Sequence, residues 1–219
     1  MVDPLGWWPG KYAECKRIAQ LVAEFLPCGE VLESGGPGIF TELLPDHRIT
    51  AARLADGVDL CRLPYADDCF DVGVSARVVE LLPPHRRQEY VLELLRVCRY
   101  RIFVALPLQP ELEAIDKIKN SYIWGTSRVW QHPGPRPEDL ERLLESRGVC
   151  LAFHAECPSS ADLALLEASR ELLDALLAVP SLGGRDTMPA LPTPPFVVAE
   201  ISKLDVLPPA FAGLSQAAH

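Results

Sequence analysis

Short apolar runs alternate with segments of helical spacing along this chain, and this alternation constrains the fold more than any other feature. Residues 11–26 carry apolar side chains at helical spacing and stop at Pro27, and the short apolar pair of Val31 and Leu32 follows. Further strands are predicted at residues 49–54, 70–75, 101–106, 149–155 and 196–202. Because parallel strands need crossover connections, strands separated by helices predict an α/β fold with a mostly parallel sheet.

The helical segments differ in how much of their surface is apolar. Helices are predicted at residues 39–44, 85–99, 111–119, 136–146 and 161–178. In segment 161–178 the apolar residues cover more than a narrow stripe, which indicates a helix that is well buried or that packs on a partner. We therefore treat this segment as the candidate surface for a homo- or hetero-oligomer.

Length and charge limit the classes of function. At 219 residues the chain fits one domain of ordinary size, and 21 basic against 30 acidic residues give a net charge of −9. Nucleic-acid coats and polybasic membrane patches need an excess of Lys and Arg, so neither nucleic acid nor a membrane is expected as a partner. No apolar stretch approaches the roughly 18 residues of a membrane span, and no segment resembles a signal peptide. With seven cysteines and no CxxC pair, a metal site has little support, and a cytoplasmic protein is expected.

A glycine-rich turn directly follows the first predicted strand. The turn is Gly35-Gly36-Pro37-Gly38, and a helical segment begins after it. Strand, glycine turn and helix together form the layout that binds nucleotide-like ligands, because glycine lets the backbone approach the ligand closely. A plain glycine-rich turn is the alternative. The turn lacks a following Lys-Ser/Thr pair, so a phosphate-binding P-loop is not expected.

Several segments resemble, in the same order, the motifs of the seven-strand S-adenosylmethionine (SAM)-dependent methyltransferases, in particular of their small-molecule branch. Residues 31–38 are similar to the first motif, in which an acid precedes alternating glycines. Similar matches follow at residues 59–65, 68–75, 77–83, 93–97 and 102–107. The resemblance extends from about residue 11 to residue 203 and rests on the order and spacing of these segments together.

The resemblance implies a fold class and a domain organisation. The expected fold is a Rossmann-like, doubly wound and mostly parallel seven-strand sheet with helices on both faces. A single methyltransferase-like domain would span residues 1–203, with an N-terminal loop at 1–10 and a substrate cap inserted at 108–135. Residues 204–219 would form a loose tail.

The resemblance also implies a cofactor and a set of site residues. SAM would bind at the carboxyl ends of the strands, with the glycines of the turn close to it and Asp59, after a third strand, facing the adenine amine. The residues implied to bind the cofactor are Glu33, Gly35, Gly36, Gly38, Asp59, Leu60 and Ser75. In the cap, His132 is a candidate general base, because the reference pKa of histidine lies near neutral pH. An ordinary surface histidine is the alternative.

Three departures from the family pattern leave two functions open. The first motif is one residue short, Arg53 stands where the family has a ribose-binding acid, and Arg77 stands where it has Asp. Asp56 lies three residues after Arg53 and is a candidate substitute. The first hypothesis is a SAM-dependent methyltransferase acting on a small-molecule or sugar-like acceptor. The second is a catalytically degenerate subunit that packs on an active partner, with Arg53 or Arg77 projecting into the cofactor site.

Overall fold

Alternating strands and helices form a mixed α/β structure. This computed structural model describes residues 9–36, 38–76, 78–107, 135–145, 147–154 and 196–203. The helices are α1 (Pro9–Phe25), α2 (Phe40–Leu43), α3 (Pro84–Val97) and α4 (Pro137–Leu144). The strands are β1 (Glu30–Ser34), β2 (Arg48–Ala52), β3 (Phe70–Ala76), β4 (Cys98–Pro107), β5 (Val149–His154) and β6 (Phe196–Lys203). No helix within these ranges is long and apolar enough to cross a membrane.

The six strands form one sheet in the order β2-β1-β3-β4-β6-β5. The pairs β1–β2, β1–β3 and β3–β4 are parallel, whereas β6 is antiparallel to both β4 and β5. The α/β class and the strands predicted from periodicity are confirmed. The seven-strand count and the doubly wound arrangement stay predictions.

Two apolar clusters cover the two faces of the sheet. Successive strand residues point to opposite faces, so Val31 packs with Val22 of α1 in one cluster. Its neighbour Leu32 packs with Leu94 of α3 and Leu140 of α4 in the other. Each fully buried Leu or Val contributes about 1.5–3 kcal/mol through the hydrophobic effect. Helices therefore lie against both faces, which leaves the carboxyl ends of the parallel strands at a shared edge.

Several element ends differ from the sequence prediction, and two of them have a clear physical reason. The strand predicted to reach Leu54 ends at Ala52, and residues Leu54–Asp56 form a 3-10 turn that closes at Gly57 with φ +77°. The helix predicted to reach Arg99 ends at Val97, because Cys98 already has extended backbone angles and begins β4. Apolar spacing marks the middle of an element more clearly than its ends.

The third strand expected before Asp59 is absent. Residues 53–69 are all described, and they contain the 3-10 turn and irregular structure. The path from β2 to β3 is therefore an irregular segment that lies over the core, with Leu60 and Leu63 anchoring it there. The helices predicted at residues 111–119 and 161–178 lie outside the described residues, as do residues 1–8 of the predicted N-terminal loop, most of the cap and the tail. The predicted loop is wrong at residues 9 and 10, because helix α1 already begins at Pro9.

Candidate functional site

The glycine turn closes on a buried carboxylate at the carboxyl end of β1. Glu33 is fully buried, and its Oε1 accepts a hydrogen bond from the backbone N–H of Gly38 at 2.8 Å. Gly35 has φ +70° and Gly38 has φ +92°, a region that residues with a Cβ rarely adopt. The structure thus brings together the acid and the glycines that were predicted to act together. Glu33 holds the turn through its hydrogen bond with the N–H of Gly38.

Close packing explains why two of the positions are glycine. A Cβ on Gly36 would lie 2.0 Å from Glu33 Oε1, and a Cβ on Gly35 would lie 2.5 Å from Val78 Cγ2. The N–H of Gly35 donates to the carbonyl of Ala52 at 2.6 Å, which ties the turn to the end of β2. The turn therefore presents backbone rather than side chains at the edge of the sheet.

Arg53 lies against this turn from the carboxyl end of β2. A Cβ on Gly38 would lie 2.7 Å from Arg53 Nη2. The Nε of Arg53 is buried without a hydrogen-bond partner, and among the described residues no acid pairs with this guanidinium. Asp56, the candidate substitute acid, is exposed in the 3-10 turn that follows. A cation, not a carboxylate, therefore stands next to the turn at this strand end.

Asp59 and Leu60 point in opposite directions. The Asp59 carboxylate is exposed, and it accepts from the N–H of Cys61 at 3.0 Å and from Arg86 Nη2 at 3.1 and 3.2 Å. These donors, first the Cys61 N–H and then Arg86, lower the pKa of Asp59, so it is ionised at neutral pH. Leu60 is fully buried, and a Cβ on Gly35 would lie 3.4 Å from its Cδ1. Leu60 thus brings the Asp59 segment next to the glycine turn.

Helix α3 holds the rest of that segment through two charged residues. Glu93 Oε1 accepts from the N–H of Leu63 at 2.8 Å. Arg96 Nη2 donates to the carbonyls of Leu63 at 3.3 Å and Tyr65 at 3.0 Å, and Arg96 Nη1 pairs with Asp67 at 2.5 Å. The bond from Arg96 lowers the pKa of Glu93. This α3 clamp, Glu93 and Arg96, escaped the sequence analysis, although the spacing of three residues between opposite charges is a signal for an ion pair on a helix.

Ser75 belongs to a buried hydroxyl network beneath the edge. Its Oγ lies 2.8 Å from Tyr90 Oη, which lies 3.0 Å from Ser34 Oγ. Ser34 and Ser75 are register partners at the ends of β1 and β3, and Ser75 is only 1% exposed. Burial raises the pKa of Tyr90, which keeps its hydroxyl protonated. The network has an evident structural role, and contact of Ser75 with a cofactor stays a prediction.

Several candidates fall outside the described residues. They are His132 in the predicted cap, Arg77 and the oligomer segment 161–178. Two neighbouring acids in the same region of the chain each pair with a cation from another element. Asp67 pairs with Arg96, and Asp68 pairs with Lys203.

Comparisons with known proteins identify the fold. No protein-family model matches the chain, and no curated protein matches it. Among solved structures, the chain is similar to a 1,6-didemethyltoxoflavin-N1-methyltransferase of Burkholderia thailandensis with bound 1,6-didemethyltoxoflavin and S-adenosylhomocysteine. The identity is 12%, the TM-score is 0.53, and the match covers 88% of this chain and 79% of that one.

A second similar structure is a SAM-dependent methyltransferase of Archaeoglobus fulgidus. It is 19% identical with a TM-score of 0.50, and the match covers 88% of this chain and 94% of that one. At these identities the likeness concerns the fold. The chain has the fold of the SAM-dependent methyltransferases.

Proposed function

We propose that the chain is a SAM-dependent methyltransferase that acts on a small-molecule acceptor. The observation that carries the proposal is the glycine turn, which closes on buried Glu33 at the carboxyl end of β1. Open α/β sheets bind their ligands at this edge. The bound S-adenosylhomocysteine and the small heterocycle named for the B. thailandensis neighbour support the same cofactor and acceptor class.

The turn and Asp59 fit the two ends of such a cofactor. Gly35 and Gly36 put no side chain between the backbone and a ligand, and Leu60 keeps the Asp59 segment next to them. A carboxylate has about four lone-pair sites, so Asp59 can accept from an adenine amine while it holds Arg86 and the Cys61 N–H. Because its pKa is lowered, Asp59 stays an acceptor at neutral pH.

The ribose position fits less well, because Arg53 only donates hydrogen bonds. A carboxylate accepts from two ribose hydroxyls, whereas a guanidinium leaves those protons without an acceptor and can donate only to the hydroxyl oxygens. Asp56 is the carboxylate closest in sequence, and a shift of the 3-10 turn would be needed to use it. We therefore expect SAM to bind, with an affinity below what an acid at position 53 would give.

The chemical role of the chain is mainly alignment. Bound SAM supplies a methyl group on a positively charged sulfur, and transfer of this group depends on holding the acceptor in line with it. A hydroxyl acceptor also needs a base, for which His132 remains the proposed residue. A sugar-like acceptor and a cytoplasmic location are parts of the same proposal.

Calorimetric titration with S-adenosylhomocysteine tests the cofactor site. We expect saturable binding in the micromolar range, and binding about tenfold weaker in Asp59→Ala, since a hydrogen bond to a charged group is worth about 1.5–3 kcal/mol. Asp46→Ala, which changes an exposed Asp in the turn after α2, is the matched control and should bind like the wild type. Absence of heat from a folded sample would contradict the proposal.

A degenerate subunit without catalysis is the second candidate, and the position of Arg53 favours it. The guanidinium lies against Gly38, at the place where a ribose would approach the turn. The same titration separates the two functions. A folded chain that does not bind S-adenosylhomocysteine, and that co-purifies with a methyltransferase, supports the subunit.

A further inference from the structure

A cleft of about 690 Å³ lies between α3 and α4, away from the glycine turn. Among the described residues, eight line it, and the charged ones are three arginines, Arg87, Arg136 and Arg142, and one acid, Asp139. The whole chain carries a net charge of −9, so the positive charge of the cleft is opposite in sign to the net charge of the chain. Its volume lies in the range of small-molecule sites, about 300–1,000 Å³.

The order of the strands and helices places the cleft near the carboxyl edge of the sheet. Helix α3 follows β3, so its first turns, which carry Arg87 and Gln88, begin at the carboxyl edge of the sheet. Strand β5 is parallel to β4, because β6 is antiparallel to both. Helix α4 leads into the amino end of β5, and its first turn, with Arg136 and Asp139, lines the same cleft as the first turn of α3. The cleft therefore lies over the β4–β6–β5 half, and the glycine turn lies over the β1–β2 half.

Hydrogen bonds hold the walls of the cleft in place. Gln88 Nε2 donates to the carbonyl of Leu143 at 2.8 Å and thereby links α3 to α4. Arg87 is only 6% exposed, and its Nε donates to the carbonyl of Leu82 at 3.1 Å. A buried guanidinium anchored in this way needs little reorganisation to interact with a ligand, which favours binding.

The one carboxylate among the described lining residues of the cleft already has partners. Asp139 Oδ2 accepts from the backbone N–H of Arg136 at 3.0 Å, and Asp139 Oδ1 pairs with Arg142 at 3.3 Å. Within the described ranges, no carboxylate forms an ion pair with the guanidinium of Arg136. Among the described lining residues, Arg136 thus keeps a positive charge that Asp139 does not neutralise.

We propose that this cleft binds an anionic small molecule through a carboxylate or phosphate group placed on Arg136 and near Arg87. Planar guanidinium groups match both anions with paired hydrogen bonds. Pro84, Pro135 and Leu143 give the cleft an apolar side that fits the carbon body of such a molecule.

Titration with three simple probes tests the cleft. Phenyl phosphate and benzoate share an aromatic body and differ in the anion, and benzyl alcohol is their neutral analogue. We expect saturable binding of at least one anion, no saturable binding of the alcohol, and about tenfold weaker anion binding in Arg136→Gln. Arg147→Gln removes an exposed arginine that does not line the cleft, and it should leave binding unchanged.

A second variant tests whether the positive charge of the cleft, and not only the side chain of Arg136, determines anion binding. Arg142→Gln leaves the Asp139 carboxylate without its cation, so we expect weaker anion binding here as well. Equal affinities in the wild type, Arg136→Gln and Arg142→Gln, or equal binding of the alcohol, would overturn the proposal.

Titration with S-adenosylhomocysteine in parallel separates the cleft from the proposed function. Cofactor binding without anion binding overturns the cleft alone. Anion binding without cofactor binding supports the cleft and contradicts the proposed function.

Discussion

The glycine turn after β1 and the segment of residues 59–67 lie side by side at the same edge, yet different forces hold them. Glu33 and the backbone N–H of Gly38 hold the turn in a buried site without room for a Cβ. The charges of Glu93, whose side chain is 14% exposed, and of Arg96, whose side chain is 34% exposed, hold the segment. Close packing tolerates no added atom, whereas exposed ion pairs are weak and screened by salt. The turn should therefore be sensitive to substitution and the segment to salt and pH.

Adding one methyl group to the turn should give the largest effect. In Gly36→Ala the new Cβ would lie 2.0 Å from Glu33 Oε1, so the carboxylate or the turn must move. We expect a loss of about 2–3 kcal/mol in the free energy of unfolding, the range of overpacked cores, and loss of S-adenosylhomocysteine binding. Urea unfolding measures the free energy of unfolding, and calorimetry measures the binding of S-adenosylhomocysteine.

Gly57→Ala is the control for this substitution. Gly57 has φ +77° but no atom within 4 Å of its Cβ position, so only backbone strain of about 1 kcal/mol is expected. If both substitutions lower the free energy of unfolding by the same amount, a steric clash with Glu33 is not the reason why residue 36 is glycine.

Removing the Tyr90 hydroxyl tests the network under the turn. Tyr90→Phe leaves Ser34 and Ser75 without their shared partner, and we expect a loss of about 1.5 kcal/mol in the free energy of unfolding. Tyr65→Phe, in a half-buried ring packed edge-on against Phe70, should cost much less. Unchanged affinity for S-adenosylhomocysteine in Tyr90→Phe would assign Ser75 a structural role, and a parallel loss of affinity would support its predicted contact.

Reversing the charge of Arg53 at the end of β2 tests whether this residue weakens cofactor binding. Arg53→Asp replaces the unpaired guanidinium with an acceptor for ribose hydroxyls, and we expect S-adenosylhomocysteine to bind about tenfold more tightly, or about 1.4 kcal/mol. Arg53→Gln, which removes the charge alone, should give a smaller gain. Weaker binding in both variants would mean that Arg53 itself contacts the ligand.

The α3 clamp should give the smallest and most condition-dependent effect. Glu93→Gln weakens the pair with Arg96, and we expect a cost of about 0.5–1 kcal/mol at neutral pH that shrinks in high salt. Glu89→Gln affects a more exposed pair, with Arg86, and should cost nearly nothing. The measurement is urea unfolding at low and high salt, and a cost that salt does not change would contradict an ion-pair clamp.

The pH dependence of the clamp has a definite sign. The pKa of Glu93 is lowered in the folded chain, so its stabilisation is complete above the ordinary glutamate pKa of about 4.3. It is lost as pH falls from there through the lowered value. The difference between wild type and Glu93→Gln should therefore shrink on acidification below about pH 4.3.

Local pattern predicted most of the fold, because the period of apolar residues reports directly on helices and strands. The turn with Glu33, Gly35 and Gly36 was also predictable, since neighbours in sequence form it. The third strand that the family resemblance implied before Asp59 was misleading, because residues 53–69 contain a 3-10 turn and irregular structure. Leu60 and Leu63 anchor that segment to the core without strand pairing.

Contacts between distant parts of the chain produce no sequence pattern comparable to the period of the apolar residues. Tyr90 reaches Ser34 across 56 positions, and Arg96 reaches the Leu63 carbonyl across 33. The cleft between α3 and α4 also depends on tertiary packing, which brings Gln88 to Leu143. Sequence analysis alone could not foresee these contacts, because each depends on how complete elements pack.

A crystal structure of the chain grown with S-adenosylhomocysteine tests the central claim most directly. The account predicts the ligand at the carboxyl edge, with its amino-acid end at the turn of Gly35 and Gly36 and its adenine beside Asp59. Arg53 should face the ribose. A structure in which the ligand binds elsewhere, or in which the Arg53 side chain keeps the edge closed and no ligand binds at saturating concentration, would contradict the account.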